Sequence, residues 1–529
     1  SADESVCLRN VESAGGPYLD HSELERALRV SGADAVWVGW GFVAEDPDFA
    51  DLCARLGLVF IGPPASVMRQ VCDRIEVRLL AEKTGVPVAP WSGGPVSSPR
   101  EAARHGDAIG YPLVIKARGG RGIRGITVVS SADELGVAFA GAQAEAASAF
   151  GDPVVFLESV VSGGRNIEVQ IVADAHGTVW APGVRDVSIQ RRDNWKLVEE
   201  SRSPSLGVEQ EGRLQAAAVA LVHAAGYCGV GTVEFAYQPS DQTFTFAEVN
   251  ARLQSDHPVT EATTGLDLVK LQLLVADGEP LAGQAPTHNG HSIEARLNVE
   301  DADEGFAPAP GRVVLLNLPS GPGIRVDTGI ASLDVIPPGY DSMVAKLIVH
   351  GDTREQALSR LDTALAQTHI VGLNTNVQFL RNVIQSRSFA QADLDTALIP
   401  REEAVLFNQE RIGLSMAVAC AVAQTLLNEK TLETRDPFSR RDGWQPFGTT
   451  LRRFEFEFHG ERHKAALTYL HDGALHLTVG DAAGVLAFAQ VSGAVNVQFA
   501  GQRITAHIYK HNDVTHIFNV QGATQIIAI

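Results

Sequence analysis

FAEVNARLQSDHPVTE, residues 246–261, carries the strongest chemical signal in the chain. Glu248, Asn250, Arg252 and Gln254 stand at alternate positions. Successive side chains of a β-strand point to opposite faces, so a carboxylate, an amide, a guanidinium and a second amide are expected on one side. That row is too polar for a core face. GTVEFAY (231–237) reads as the preceding strand, and Glu234 within it would lie across a hairpin from Glu248. Paired carboxylates are hard oxygen donors of the kind Mg²⁺ takes when it bridges ATP phosphates. A solvated strand face with ordinary ion pairs is the competing reading of these residues alone.

Upstream, the apolar strand YPLVIKA (111–117) delivers Lys116 to the turn RGGRGIRG (118–125), with glycines at 119, 120, 122 and 125. Glycines let backbone N–H groups close around phosphate oxygens, and a neighbouring lysine adds a point charge. The segment is not a P-loop, because no lysine followed by Ser or Thr closes it. A mobile hairpin with a solvated lysine fits the same residues.

The rest of the chain divides by pattern. ADAVWVGW (33–40), DPDFADLCARLG (46–57) and LVFIG (58–62) alternate strand, helix and strand, as in a parallel α/β unit. The chain opens on SADESV with no strand and Gly-rich turn before it, so this first domain, 1–87, is expected to lack its initial β-α element. Residues 88–160 form a compact strand–turn–strand–helix–strand module suited to a lid. Residues 161–402 mix paired strands with helices such as LQAAAVALVHAAGY (214–227) and PVTEATTGLDLVKLQLLVADG (258–278), an α+β pattern. From 403 to 529 a helix, RIGLSMAVACAVAQTLLNE (411–429), and the polar stretch TRDPFSRRDGWQPFG (434–448) precede short alternating strands. RRFEFEFHG (452–460), KAALTYLHDG (464–473) and ALHLTVG (474–480) predict a small antiparallel β-barrel or sandwich.

With 529 residues, 45% of them hydrophobic, the chain needs several cores and can fill them. A net charge of -20 argues against a surface built for nucleic acid or anionic lipid, so neither is expected as a partner. Five cysteines, odd in number and without C-x-x-C pairing, fit reduced thiols and a cytoplasmic address. No apolar run approaches the roughly 20 residues that span a bilayer. Lone histidines such as His257 and His350 are read as structural, because no His or Cys cluster has zinc spacing.

The string EVNARLQSDHPVTE (248–261) resembles the biotin carboxylases. Further matches run in family order: WGFVAEDPDF (40–49), YPLVIKA (111–117), NIEVQIVAD (166–174), RDVSIQRR (185–192), GTVEF (231–235), EARLNVED (294–301), PAPGR (308–312) and PPGYDSMVAKLI (337–348). The tryptophan-containing AVWVGWG and VPVAPWSG look more like multidomain acetyl-CoA carboxylases than a separate subunit. The resemblance implies an ATP-grasp biotin carboxylase fold, α/β and α+β, followed by a transfer-type β-barrel. It implies a ligase that phosphorylates bicarbonate with ATP to carboxyphosphate, whose breakdown carboxylates biotin, the first half-reaction of an acyl-CoA carboxylase. ATP, Mg²⁺ (or Mn²⁺) and biotin on a separate carrier domain are the cofactors it implies.

By motif position the resemblance assigns Arg74, Lys116, Gly119, Gly120 and Gly122 to ATP phosphates, with Glu158 near the adenine. Glu234, Glu248 and Asn250 fall to metal. Arg252, Gln254 and the backbone of Ser255 fall to bicarbonate, and Asp256 to the general base that deprotonates it. Lys196 is assigned charge stabilisation, and Arg325, in GIRVDT, stabilisation of the biotin enolate.

Five departures fall in this site. Arg74 replaces a lysine, and its planar fork is no neutral exchange. Asn166 replaces a histidine. QRRDNWK (190–196) gains a residue and sets Asp193 where a nucleotide-side histidine is usual, and an acid there repels phosphate. Asp256 replaces glutamate, and one missing methylene can take a base out of the roughly 2.6–3.2 Å reach of proton transfer. The loop after Lys116 is about three residues short, which weakens phosphate wrapping. They keep a catalytically degenerate scaffold, or another ATP-grasp ligase, as alternatives. Met68, Met343 and Met416 sit in no biotin-attachment A-M-K-M motif, so the carrier is expected elsewhere. Carrier and carboxyltransferase, on one longer chain or on partner subunits, are the partners implied, in a homo-oligomer.

Overall fold

The computed structural model describes residues 3–9, 16–41, 43–120, 124–161, 163–191, 195–339, 341–407 and 412–529. It forms two compact units, one of Ser1–Glu294, Ile348–Ala357 and Gln391–Arg401, the other of Ala295–Leu347, Leu358–Ala390 and Glu402–Ile529.

In the first unit, β1 (Ala35–Val36) and β2 (Val59–Phe60) pair in parallel around the helix Pro47–Arg55. Asp46 caps that helix by accepting from the Asp48 and Phe49 amides. The eight-residue strand read in ADAVWVGW shrinks to two residues, because only Ala35 and Val36 find a partner strand. The lid is a three-stranded antiparallel sheet, with β3 (Leu113–Ala117) between β4 (Ile126–Val129) and β5 (Val155–Ser159). Helices Pro99–Ile109 and Ala132–Phe150 cover it, burying Leu113, Ile115, Phe139 and Leu157.

The platform is five strands of an eight-stranded sheet, β6 (Arg165–Ala173), β7 (Val179–Arg191), β8 (Trp195–Ser201), β9 (Gly229–Gln238) and β10 (Thr243–Asn250), paired antiparallel in spatial order β10-β9-β6-β7-β8. Period-2 alternation sorts its side chains. Ile167, Val169 and Ile171 of β6 and Val233, Phe235 and Tyr237 of β9 enter the core with Leu214, Ala218 and Leu221 of helix Val208–Ala224. Glu168, Gln170, Thr232 and Glu234 therefore take the opposite face. On β10 the parity changes midway. Phe244 and Phe246 are core residues, yet so is Val249, because a bulge between Phe246 and Glu248 inserts one unpaired residue. Without that bulge Glu248 would share the core side with Phe246.

The segment 258–278 is two helices, His257–Thr264 and Leu268–Ala276. Gly265 breaks the helical run with φ 72°, a left-handed cap that a side chain disfavours.

In the second unit, helix Leu414–Lys430 is buried all round from Met416 to Ala423. Nine antiparallel strands between Thr450 and Ala528 curl about it, and it packs on strands from both arms of that sheet, as the barrel reading anticipates.

Among the described residues no helix is long and apolar enough to cross a membrane. All five cysteines are free.

Candidate active site

The polar face of the platform gathers charge in register. Arg185 of β7, Glu168 of β6, Glu234 of β9 and Glu248 of β10 are successive cross-strand partners. Like charges directly opposite destabilise a sheet unless something compensates them, so three adjacent carboxylates mark a site for cations. One compensating group is Lys196, whose Nζ bonds Glu168, lies 2.9 Å from Gln254 Oε1 and 3.1 Å from Asp256 Oδ2, and stands 3.6 Å from Glu234 Oε1. Arg185, fully buried, is the other. Its guanidinium donates to Glu168 (2.8 and 3.1 Å), Gln170 (2.5 Å), Thr232 (3.1 Å) and Thr260 (3.2 Å), and reaches Asp256 Oδ1 at 3.2 Å. Burial first, and the nearby Asp256 second, push the Glu168 carboxyl up to about 7 against the pull of Lys196 and Arg185.

The single-face row predicted from 246–261 is corrected in detail. β10 ends at Asn250, so only Glu248 and Asn250 are strand residues, while Arg252, Gln254 and Ser255 lie in the connection to the next helix. The turn still returns Gln254 to the site. Asn250 Nδ2 donates to Glu234 Oε1 (2.7 Å), and Gln254 Nε2 donates to the same oxygen (3.2 Å). Arg252 turns to Glu45, which accepts from its Nε (3.0 Å) and from the Ala251 amide (2.8 Å). His257 is structural, its Nδ1 2.8 Å from the Gln254 carbonyl.

A second charged group stands on the three-stranded sheet. Glu158 is buried, chelated by Arg78 (Nε 2.8 Å, Nη2 3.0 Å) and bonded by Lys116. Burial alone would raise its pKa, but Lys116 and Arg78 overcome that and hold it below the usual carboxylate range. Burial lowers the Lys116 ammonium, with Glu158 opposing. Glu158 thus binds the loop lysine itself, a role its assignment to the adenine leaves out.

Gly120 has a steric reason to be glycine, because a Cβ there would meet the Arg124 carbonyl at 2.5 Å and Arg74 Nη1 at 2.6 Å. Arg74 Nη2 in turn stands 3.9 Å from Glu248 Oε2. The glycine turn, Arg74 and Glu248 therefore adjoin, and Gly119 is one residue away in the same turn. Gly122 and Asp193 lie outside the described residues. Asn166 sits on β6, where its backbone N–H donates to Ser188 Oγ (3.1 Å). Arg325 belongs to the other unit, exposed on strand Ile324–Thr328 and forked onto Asp327 at 2.8 and 2.9 Å.

Sequence reading missed Glu168, Arg185, Glu45 and Arg78. Three lay inside the quoted strings NIEVQIVAD, RDVSIQRR and WGFVAEDPDF, and Arg78 four residues after Arg74; a charge within an apolar strand was the usable signal for the first two.

Among the described residues no cluster of three or more His, Cys, Asp or Glu could hold a metal by itself. Glu234, Glu248 and Asn250 offer a partial oxygen set, which suits an ion that arrives with phosphate oxygens of its own.

Comparison with known proteins agrees along the whole chain. Residues 1–68 match the biotin carboxylase N-terminal domain, 73–284 the ATP-binding domain of the carbamoyl-phosphate synthase L chain, and 294–401 the biotin carboxylase C-terminal domain. Residues 414–527 match the BT domain of the methylcrotonyl-CoA carboxylase alpha-subunit. The biotin carboxylase of Haemophilus influenzae is 41% identical over 394 residues, 73% of this chain and 86% of that one. The alpha-subunit of the mitochondrial methylcrotonoyl-CoA carboxylase of Glycine max is 38% identical over 426 residues, 80% of this chain and 58% of that one. A solved biotin carboxylase domain of Hydrogenobacter thermophilus 2-oxoglutarate carboxylase, in complex with MgADP, ADP and bicarbonate, superposes with a TM-score of 0.72 at 36% identity, covering 75% of this chain and 87% of that one. A charged row on an ATP-grasp platform, a glycine-and-lysine lid and these matches have one explanation: the chain belongs to the biotin carboxylase family.

Proposed function

We propose that the chain carries out ATP-dependent carboxylation of biotin by bicarbonate, as the first half-reaction of an acyl-CoA carboxylase. The observation that carries this reading is the convergence of Glu234, Asn250, Gln254, Lys196 and Asp256 within one hydrogen-bonded cluster beside the lid loop. Bicarbonate is a small anion, and in this acidic chain it needs local cations; Lys196 and Arg252 line that cluster. Lys116, Arg74 and the turn at Gly119 and Gly120 bind the ATP phosphates, Lys116 leaving Glu158 as they arrive.

Glu234, Glu248 and Asn250 would hold Mg²⁺, which when bound neutralises phosphate charge. In the first step bicarbonate loses its O–H proton to Asp256. The freed electron pair attacks the γ-phosphorus and ADP leaves, giving carboxyphosphate. By its place in the motif GIRVDT, Arg325 is the residue assigned to the oxyanion of carrier-borne biotin. Carboxyl carrier and carboxyltransferase are the partners, on a longer chain or on other subunits. The BT-domain match favours a branched enoyl-CoA such as methylcrotonyl-CoA as the final acceptor. Assembly as a homo-oligomer and a cytoplasmic address, which free thiols suit, complete the reading.

A coupled ATPase assay on the intact protein tests it: turnover should require bicarbonate and rise with free biotin, and ATP hydrolysis indifferent to both rejects it. One observation favours a degenerate scaffold instead. The Asp256 side chain has no exposed surface, with one oxygen on Arg185 and the other on Lys196. ATP binding without turnover is the outcome that scaffold requires.

A further inference from the structure

Asp256 shares both its cations with a second carboxylate. Lys196 bonds Glu168 and stands 3.1 Å from Asp256 Oδ2, while Arg185 donates to Glu168 at 2.8 Å and reaches Asp256 Oδ1 at 3.2 Å. The side chains of Arg185, Glu168 and Asp256 have no exposed surface, and Lys196, at 13%, is the one member of the four that does. A ligand entering from solvent therefore meets Lys196 before it meets Asp256. Arg185 is fixed by Gln170, Thr232 and Thr260 as well as by Glu168, so it cannot follow a moving partner without leaving several buried acceptors unpaired. Lys196 sits on a flexible four-carbon stem with three donors, and it can change partners.

We infer that Glu168 and Arg185 are positioning residues for the base: Glu168 is the alternative berth that draws Lys196 away from Asp256, and Arg185 pins the Asp256 carboxylate while Lys196 moves. The inference rests on the biotin carboxylase reading and deepens it. Asp256 faces Arg185 from β7, Lys196 from β8, Glu168 from β6 and Arg252 from its own turn, while Glu234 of β9 reaches Lys196, Glu294 acts on Arg185 and Glu45 pairs with Arg252. Removing the Glu168 charge takes away the acceptor that competes for Lys196, so Lys196 settles on Asp256 and the carboxylate becomes a poorer proton acceptor.

The experiment uses the intact protein in the bicarbonate-dependent ATPase assay at about pH 8, above the Glu168 value of about 7 so that its carboxylate is charged, with direct ATP binding and thermal melting in parallel. Glu168→Gln should lower kcat about tenfold to a hundredfold, within the range that a positioned base contributes. It should leave ATP affinity within about twofold, so that the loss falls on kcat. Glu168→Asp, which keeps the charge, should recover most of kcat, and Arg185→Lys should lower kcat without the recovery. A Glu168→Gln kcat within about twofold of the wild type overturns the inference. So does a loss in kcat matched by losses in ATP affinity and melting temperature and not recovered in Glu168→Asp, because that is a folding defect. Wild-type hydrolysis that ignores bicarbonate sinks the parent reading and this inference with it, and it is seen before any variant is made.

Discussion

Arg78→Met, alone and with Glu158→Leu, tests how the lid is locked. Arg78 is 1% exposed and Glu158 3%. The guanidinium makes two bonds to the carboxylate, donates to the Arg74 carbonyl (2.9 Å) and the Ala247 carbonyl (3.1 Å), and stacks 4.9 Å from the Phe156 ring. Removing one partner of a buried pair costs about 3–5 kcal/mol, because the other charge stays buried. Here Lys116 remains on Glu158 and offsets part of that, so a loss of about 3 kcal/mol is expected for Arg78→Met. Replacing both partners by apolar groups of similar volume should return part of it; Lys116 then loses its acceptor, but its side chain is 19% exposed and can turn to water, so the double variant should stand about 1–2 kcal/mol below wild type. Urea unfolding followed by tryptophan fluorescence suits the measurement, since Trp91 packs edge-on against Phe156 at 5.8 Å. Should the double variant be as unstable as the single one, the stabilisation comes from packing on Phe156 and the carbonyls, and the charge argument is wrong.

Asp256→Glu adds one methylene to a carboxylate now enclosed by Arg185 and Lys196, and bicarbonate-dependent kcat should rise about tenfold or more; an unchanged rate would show that base reach is not limiting. Gly120→Ala drives a methyl into the Arg124 carbonyl and Arg74, so ATP affinity by calorimetry should fall about tenfold or more, with melting little altered. In the second unit burial, then His507, lowers His369 to about 4, and burial, then His511, lowers His516 to about 4. Both are depressed below the roughly 6.5 of an unfolded histidine, so the unfolded chain binds the extra protons. Stability of that unit should therefore be level above pH 6.5 and fall as pH drops from there towards 4. His369→Gln should flatten that fall, read as the urea midpoint against pH.

The sequence alone determined the element types where period and punctuation agreed. The lid strands, the Ala-rich helix and the C-terminal antiparallel strands follow from alternation and turn residues. It also determined most of the chemistry, because Lys116, Glu234, Glu248, Asn250, Gln254 and Asp256 sit in strings whose polarity has no structural use in a core. Tertiary structure decided the facing. Parity along 248–254 predicted one row, but Glu248 lies opposite the core side of Phe246 only because a bulge intervenes, and Gln254 reaches the site only because a turn brings it back. It likewise decided who pairs with whom. Arg185, Glu168 and Lys196 come from three neighbouring strands, and Arg78 reaches Glu158 across 80 residues. Such partnerships are set by strand register and low-dielectric burial, which emerge only when distant segments are packed together, so no local pattern could announce them.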